Sequence, residues 1–204
     1  VVLAALAALG APVLPAAAGA ARERLRVLCI GLGGGSVPSF LAGLEHCEVD
    51  VVELEPAVLR AAEEAMGFAS GPRLRATLGD GVAFALEAAE REGAGSNGVY
   101  DAVLVDAYDA AGGVPSELWR PGGGLARALA GGLLKRRAGV VATNFLPDVD
   151  LGPPLAGYRA ALAGQRPGLG FSVQVNKPHD ELSDIARLMQ QDQGTGNRIA
   201  VQTC

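Results

Sequence analysis

Residues 27–40 read VLCIGLGGGSVPSF. Val27 to Ile30 is a short, unbroken apolar run, the pattern of a strand buried on both faces of a parallel sheet. It stops at Gly31. Val37, Phe40, Leu41 and Leu44 then recur at i, i+3, i+4 and i+7, the spacing of one helical face. Between strand and helix lie Gly31, Leu32, Gly33, Gly34, Gly35 and Ser36. Glycines there permit positive φ and close approach of a ligand to the backbone. The helix N-terminus behind them offers free N–H groups and a positive partial charge. With 29 glycines in the chain, a plain tight turn is the competing reading.

The same alternation continues outward. Residues 49–54 (VDVVEL) predict a second strand, and Pro56 opens a helix that ends near Gly67. Residues 74–78 predict a third strand, and Val82, Ala85, Leu86 and Ala89 a third helix. Gly93 to Gly98 has the composition of a surface loop. Tyr100 to Asp106 (YDAVLVD) is the clearest strand. A loop with Gly112, Gly113 and Pro115 follows, then a helical region over 123–136. Val140 to Thr143 is a fifth strand, and 152–168 contains a further helix. Phe171, Val173 and Val175 alternate with polar residues, as do Ile199 and Val201, which predicts half-buried antiparallel strands. The expected fold is therefore α/β, a Rossmann-like, doubly wound and mostly parallel sheet with an antiparallel edge pair. Residues 1–25 form an expected helical lead-in, and 26–204 one domain.

Bulk properties narrow the function. The 204 residues are 50% apolar and 19% charged, which suits one domain with a large core; aromatics are only 4%, so Val, Leu, Ile and Ala must build it. A net charge of −5 gives no electrostatic footprint for nucleic acid. The basic clusters are Arg22-Glu23-Arg24-Leu25-Arg26, read as a polar lead-in to a strand, and Lys135-Arg136-Arg137, read as the cationic end of a helix. Cys29, Cys47 and Cys204 have no CxxC spacing, and His46 and His179 stand alone, so no metal site is expected and a reducing compartment, the cytoplasm, is. The apolar run at residues 1–9 reads as a packed helix rather than a targeting core. Gly10, Pro12 and Pro15 interrupt it well short of the roughly 20 residues of a membrane span.

Three further strand ends carry acids. Glu53, with Leu54 beside it, stands 22 positions after Gly31, where a carboxylate can accept both hydroxyls of a ribose. Asp80, between Gly79 and Gly81, can reach an adenine amino group or cap the next helix. Asp106 ends the fourth strand, with Tyr108 and Asp109 just beyond. A purely structural sheet has no reason to set Gly, Glu, Asp and Asp on one rim.

VLCIGLGGGSVPSF, VDVVELEP, LGDGVAF and YDAVLVDAYD together resemble the successive motifs of the spermidine-synthase-like branch of methyltransferases, across roughly residues 26–146. GLGGG followed by VVELEP and MGF is also similar to the carboxy-terminal domains of the dual methyltransferases of elongation factor 1-alpha. The resemblance implies a seven-stranded sheet and an S-adenosylmethionine site. Gly31, Leu32, Gly33, Gly34 and Gly35 would line the cofactor's amino-acid end, Glu53 and Leu54 would hold its ribose, and Asp80 and Gly81 its adenine. It further implies Asp106 as proton acceptor and Asp109 as a polyamine holder in spermidine synthases; from their position just beyond the strand end, Tyr108 and Asp109 are expected to shape the acceptor pocket. Aminopropyltransferases of the branch carry an Asp at the position of Gly34, so methyl transfer to an amine, on a protein or a small molecule, is the first expectation. Aminopropyl transfer from decarboxylated S-adenosylmethionine is the second, and a non-catalytic SAM-fold module the third. A nicotinamide site would want glycine at 36, where Ser36 stands. A homodimer is compatible with these readings. Trp119 is expected to pack under a loop, Asn144 to border the acceptor site or bond only to backbone, and Cys29 to lie in the core.

Overall fold

The computed structural model describes residues 24–92, 97–135, 139–146, 149–163, 172–176 and 198–203, the last two segments as backbone. The lead-in over 1–23, most of the Gly93–Gly98 loop, Arg136, Arg137, His179 and Cys204 lie outside them.

Five strands form a parallel sheet: β1 (Leu25–Ile30), β2 (Cys47–Glu53), β3 (Leu74–Leu78), β4 (Ala102–Val105) and β5 (Val140–Phe145). The helices between them are α1 (Ser36–Gly43), α2 (Pro56–Ala65), α3 (Gly81–Glu92) and α4 (Gly124–Gly131), and α5 (Gly152–Ala163) follows β5. This is the Rossmann-like α/β fold. Strand order is β3-β2-β1-β4-β5, and beyond β5 come β7 (Arg198–Thr203) and then β6 (Ser172–Asn176).

The expected antiparallel edge is corrected here. β7 pairs in parallel with β5, and β6 in parallel with β7. Alternating apolar residues report one buried face, not a direction. Direction follows from the connection, and a parallel pair needs about a dozen residues or more, which 177–197 supplies.

Strand parity divides the core. Leu28, Ile30, Val52, Val103, Val105 and Val141 face the layer built by α3, α4 and α5. Val27, Cys29, Val49, Val51, Ala102, Leu104 and Val140 face α1 and α2 through Leu41 and Ala62. Burying one such aliphatic side chain contributes about 1.5–3 kcal/mol, and these strands have no polar face to lose it on. Burial also pushes the Cys29 thiol up to about 12, so it stays a neutral core residue.

Several sequence expectations shift. Phe40, placed on the buried stripe of α1, is 54% exposed, because Pro38 and Leu41 take that stripe. The helix expected over 123–136 ends at Gly131, where Gly132 adopts φ 106°. Lys135 is thus no helix-end cation; it pairs with Asp101 at 2.9 Å. β4 is shorter than Tyr100–Asp106, although Tyr100 still bridges to Leu134. Trp119 donates from Nε1 to the Val114 carbonyl at 2.9 Å and packs against the core.

Candidate functional site

The sheet order reverses between β1 and β4, and ligands of open α/β sheets bind outside the carboxyl ends of strands at such a point. Register brings the sequence-selected residues together there. Ile30 lies opposite both Val52 and Val105, and Val105 opposite Thr143. One residue further on, Glu53, Gly31, Asp106 and Asn144 form a row across four strand ends, with Leu78 opposite Glu53 at its outer end.

Gly31 has φ 95°, and a Cβ there would lie 2.2 Å from the Asp106 carbonyl oxygen. Only glycine lets the loop cross that closely over β4. Gly33, at φ 54°, is the opposite case: a Cβ would meet nothing within 4 Å. Its open side belongs to a cavity of about 180 Å3 lined by Gly31, Leu32, Gly33, Gly34, Ser36 and Asp106 among others. The segment after α2 supports the loop. Phe68, 3% exposed, fills the space a Cβ at Gly35 would need, and Met66 Sδ would be 2.9 Å from one at Gly34. The sequence marked both only as part of the MGF stretch of the resemblance, because an apolar pair in a loop carries no spacing signal of its own.

Glu53 is buried at 8% exposure and its carboxylate ties the loop to the sheet. Oε2 accepts from the Leu32 N–H and Oε1 from the Glu55 N–H, both at 2.9 Å. Each carboxylate oxygen has further lone-pair capacity for a ligand hydroxyl. Leu54 and Leu78 are 61% and 49% exposed on the same rim. Leu78 was not anticipated from the sequence.

Asp80 takes the capping role: Oδ1 accepts from the Ala83 N–H at 2.7 Å, at the start of α3, and the carboxylate stays exposed. Gly81 is needed for packing, since a Cβ there would lie 2.5 Å from Ile30 Cγ2.

Asp106 Oδ1 accepts from Asn144 Nδ2 at 3.1 Å, and the Tyr108 hydroxyl donates to the Asn144 carbonyl at 3.2 Å. Asn144 therefore joins two of the sequence-selected residues, Asp106 and Tyr108. Asp109 turns inward on its own loop: Oδ1 accepts from the Ala111 and Gly113 N–H groups at 2.9 and 3.0 Å. No group of three or more metal-ligating side chains occurs among the described residues. No helix among them is long and apolar enough to cross a membrane.

The chain is 46% identical over 61 residues to an eEF1A lysine and N-terminal methyltransferase of Danio rerio, covering 29% of this chain and 9% of that protein. It is 40% identical over 86 residues to a polyamine aminopropyltransferase of Vibrio vulnificus, covering 41% of this chain and 27% of that one. The chain thus spans well under a third of the length of either relative. Among solved structures it is similar to human methyltransferase-like protein 13 in complex with SAH, with a TM-score of 0.53 and 24% identity over 64% of this chain and 57% of that chain. No family model matches. In sequence the chain is therefore similar to eEF1A methyltransferases and aminopropyltransferases together, and in structure it shares the Rossmann-like fold of methyltransferase-like protein 13.

Proposed function

We propose that this domain binds S-adenosylmethionine and transfers its methyl group to an amine. The observation that carries the reading is the single row Glu53–Gly31–Asp106–Asn144 across the strand ends, two of whose members, Gly31 and Asp106, line one cavity with Gly33. The residues present fit an adenosyl donor. Glycine backbone lines the amino-acid end, the Glu53 carboxylate lies where ribose hydroxyls need an acceptor, and exposed Leu54 and Leu78 offer apolar faces to an adenine beside Asp80.

The bound donor would supply an activated sulfonium methyl. The chain's own task is then proximity and orientation. Asp106 has the place to attract a cationic amine and to accept its proton, and Asn144 fixes one of its oxygens for that purpose. Tyr108, held by the Asn144 carbonyl and 40% exposed, walls the acceptor side.

Methyl transfer is favoured over aminopropyl transfer by two features. Gly34 carries no acid, and Met66 stands where a side chain at 34 would begin. Asp109 spends one carboxylate oxygen on its own turn. A polyamine would meet too few carboxylates to offset desolvation of its ammonium groups. Parallel calorimetric titration with S-adenosylmethionine and its decarboxylated form tests this. The reading expects the carboxylated donor to bind at least tenfold tighter; the reverse order would establish the aminopropyl reading instead, and binding of neither would leave a non-catalytic module.

A further inference from the structure

A second cavity, about 250 Å3, lies toward the opposite end of the sheet, between α3 and the strands β1, β2 and β3. Three guanidinium groups line it, those of Arg26, Arg75 and Arg91, with one carboxylate, Asp50. Both oxygens of Asp50 are engaged. Its Oδ1 accepts from Arg75 Nε at 2.7 Å, its Oδ2 accepts from the Tyr100 hydroxyl at 2.8 Å, and Arg26 Nη2 lies 3.8 Å from Oδ2. Burial and the Asp50 charge push the Tyr100 hydroxyl well above its ordinary range, so it remains a proton donor to Asp50. The neighbouring acid on β2, Glu48, is paired with Arg24.

This arrangement leaves cationic capacity over. Arg75 meets Asp50 through Nε, while the side chain is 51% exposed. Arg26 is held over the Tyr100 ring, 5.1 Å from its centroid. Arg91, in the last turn of α3, makes no ion pair among the described residues. An ion-pair cluster meant only to neutralise Asp50 would need neither Arg91 nor the cavity. The lining carries three cations and one anion, a balance of two positive charges, on a chain whose net charge is −5. Phe84, Ala88 and Val99 give it an apolar side, and Thr77 and Tyr100 complete the lining. Guanidinium forks match the geometry of phosphate oxygens and hold them bidentately.

We propose that this cavity binds a small phosphate-bearing anion, its phosphate held by Arg26, Arg75 and Arg91 and any organic part resting on Phe84 and Val99. The site is separate from the glycine-loop cavity and shares no lining residue with it.

Calorimetric titration of the whole chain at low ionic strength with inorganic phosphate and with phenyl phosphate tests the proposal. Saturable binding with one site per chain is expected. Arg91→Ala, at an exposed helix position, should leave the unfolding midpoint nearly unchanged and weaken binding about tenfold or more. Arg159→Ala, an exposed arginine on α5, should not weaken it. Tighter binding of phenyl phosphate supports a phosphomonoester lying on Phe84, and equal affinities support a free phosphate ion. Lack of saturation with both probes, or equal weakening by the two arginine variants, would overturn the proposal. S-adenosylmethionine titrated into the same samples keeps the two ideas apart, since its affinity should not change in Arg91→Ala.

Discussion

The two ends of one parallel sheet solve the same problem differently. At the carboxyl ends, three acids are held by backbone, Glu53 by the Leu32 and Glu55 N–H groups, Asp80 by Ala83, Asp109 by Ala111 and Gly113, and Asp106 alone by a side chain, that of Asn144. Toward the amino ends, buried Asp50 is held by side chains, Arg75 and Tyr100, while Asp101 combines the Arg26 N–H with Lys135. Parallel strands leave their last carbonyls and first following N–H groups at the carboxyl rim, where loops must turn sharply into helices. Glycines and capping carboxylates belong there, and a ligand can share them. The amino rim receives chain from helix ends, so more of its polar chemistry falls to long side chains. Function is read from the first rim by backbone geometry and from the second by charge.

Substitutions that separate the two rims should do so in order of size. Gly31→Ala should have the largest effect, because its Cβ would collide with the Asp106 carbonyl at a φ of 95°. A loss of about 3 kcal/mol or more is expected from such strain and overpacking, measured by urea unfolding. Glu53→Ala comes next. It leaves two loop N–H groups without their acceptor, at about 1–3 kcal/mol each, and should abolish measurable binding of S-adenosylmethionine. A variant that lost stability but kept donor affinity would reduce Glu53 to a loop fastener.

Tyr100→Phe probes the other rim. Removing the hydroxyl bonded to Asp50 should cost about 1.5–3 kcal/mol and leave donor affinity unchanged; a matching loss of affinity would mean that the ends are coupled. Gly33→Ala sharpens the glycine argument. With open space around the new methyl, it should cost only about 1–2 kcal/mol of backbone strain, yet weaken donor binding at least tenfold by filling the cavity side. Apart from the substitutions that compare the rims stands an alkaline effect. The Cys29 thiol is raised from 9.0 to about 12 in the folded chain, so its contribution is complete below pH 9 and lost as pH rises through about 12. Cys29→Ala should flatten the fall in stability across that window, followed by chemical unfolding at stepped pH.

Much of this was legible in the sequence. The unbroken apolar run VLCI, the largely apolar VDVV and the helical spacings between them pointed to the parallel α/β sheet, because short apolar runs alternating with helical periods fit strands buried on both faces. The strand-end residues Gly31, Glu53 and Asp106 could be placed on one rim by counting from those runs, and register confirms that row. What stayed hidden depends on side chains meeting across long sequence distances. The Asn144–Asp106 bond spans 38 positions and the Tyr100–Asp50 bond 50. Met66 and Phe68 buttress the glycine loop from a connection without periodicity. The direction of β6 and β7 escaped for a different reason: alternation encodes a face and is silent on orientation.

Calorimetric titration with S-adenosylmethionine, its decarboxylated form and NADH, in the unsubstituted chain and in Glu53→Ala, addresses the central claim most directly. The account predicts that S-adenosylmethionine binds tightest of the three and that Glu53→Ala loses it while remaining folded by circular dichroism. Tighter binding of NADH, or undiminished S-adenosylmethionine binding in folded Glu53→Ala, would contradict the assignment of the row Glu53–Gly31–Asp106 as a methyl donor site.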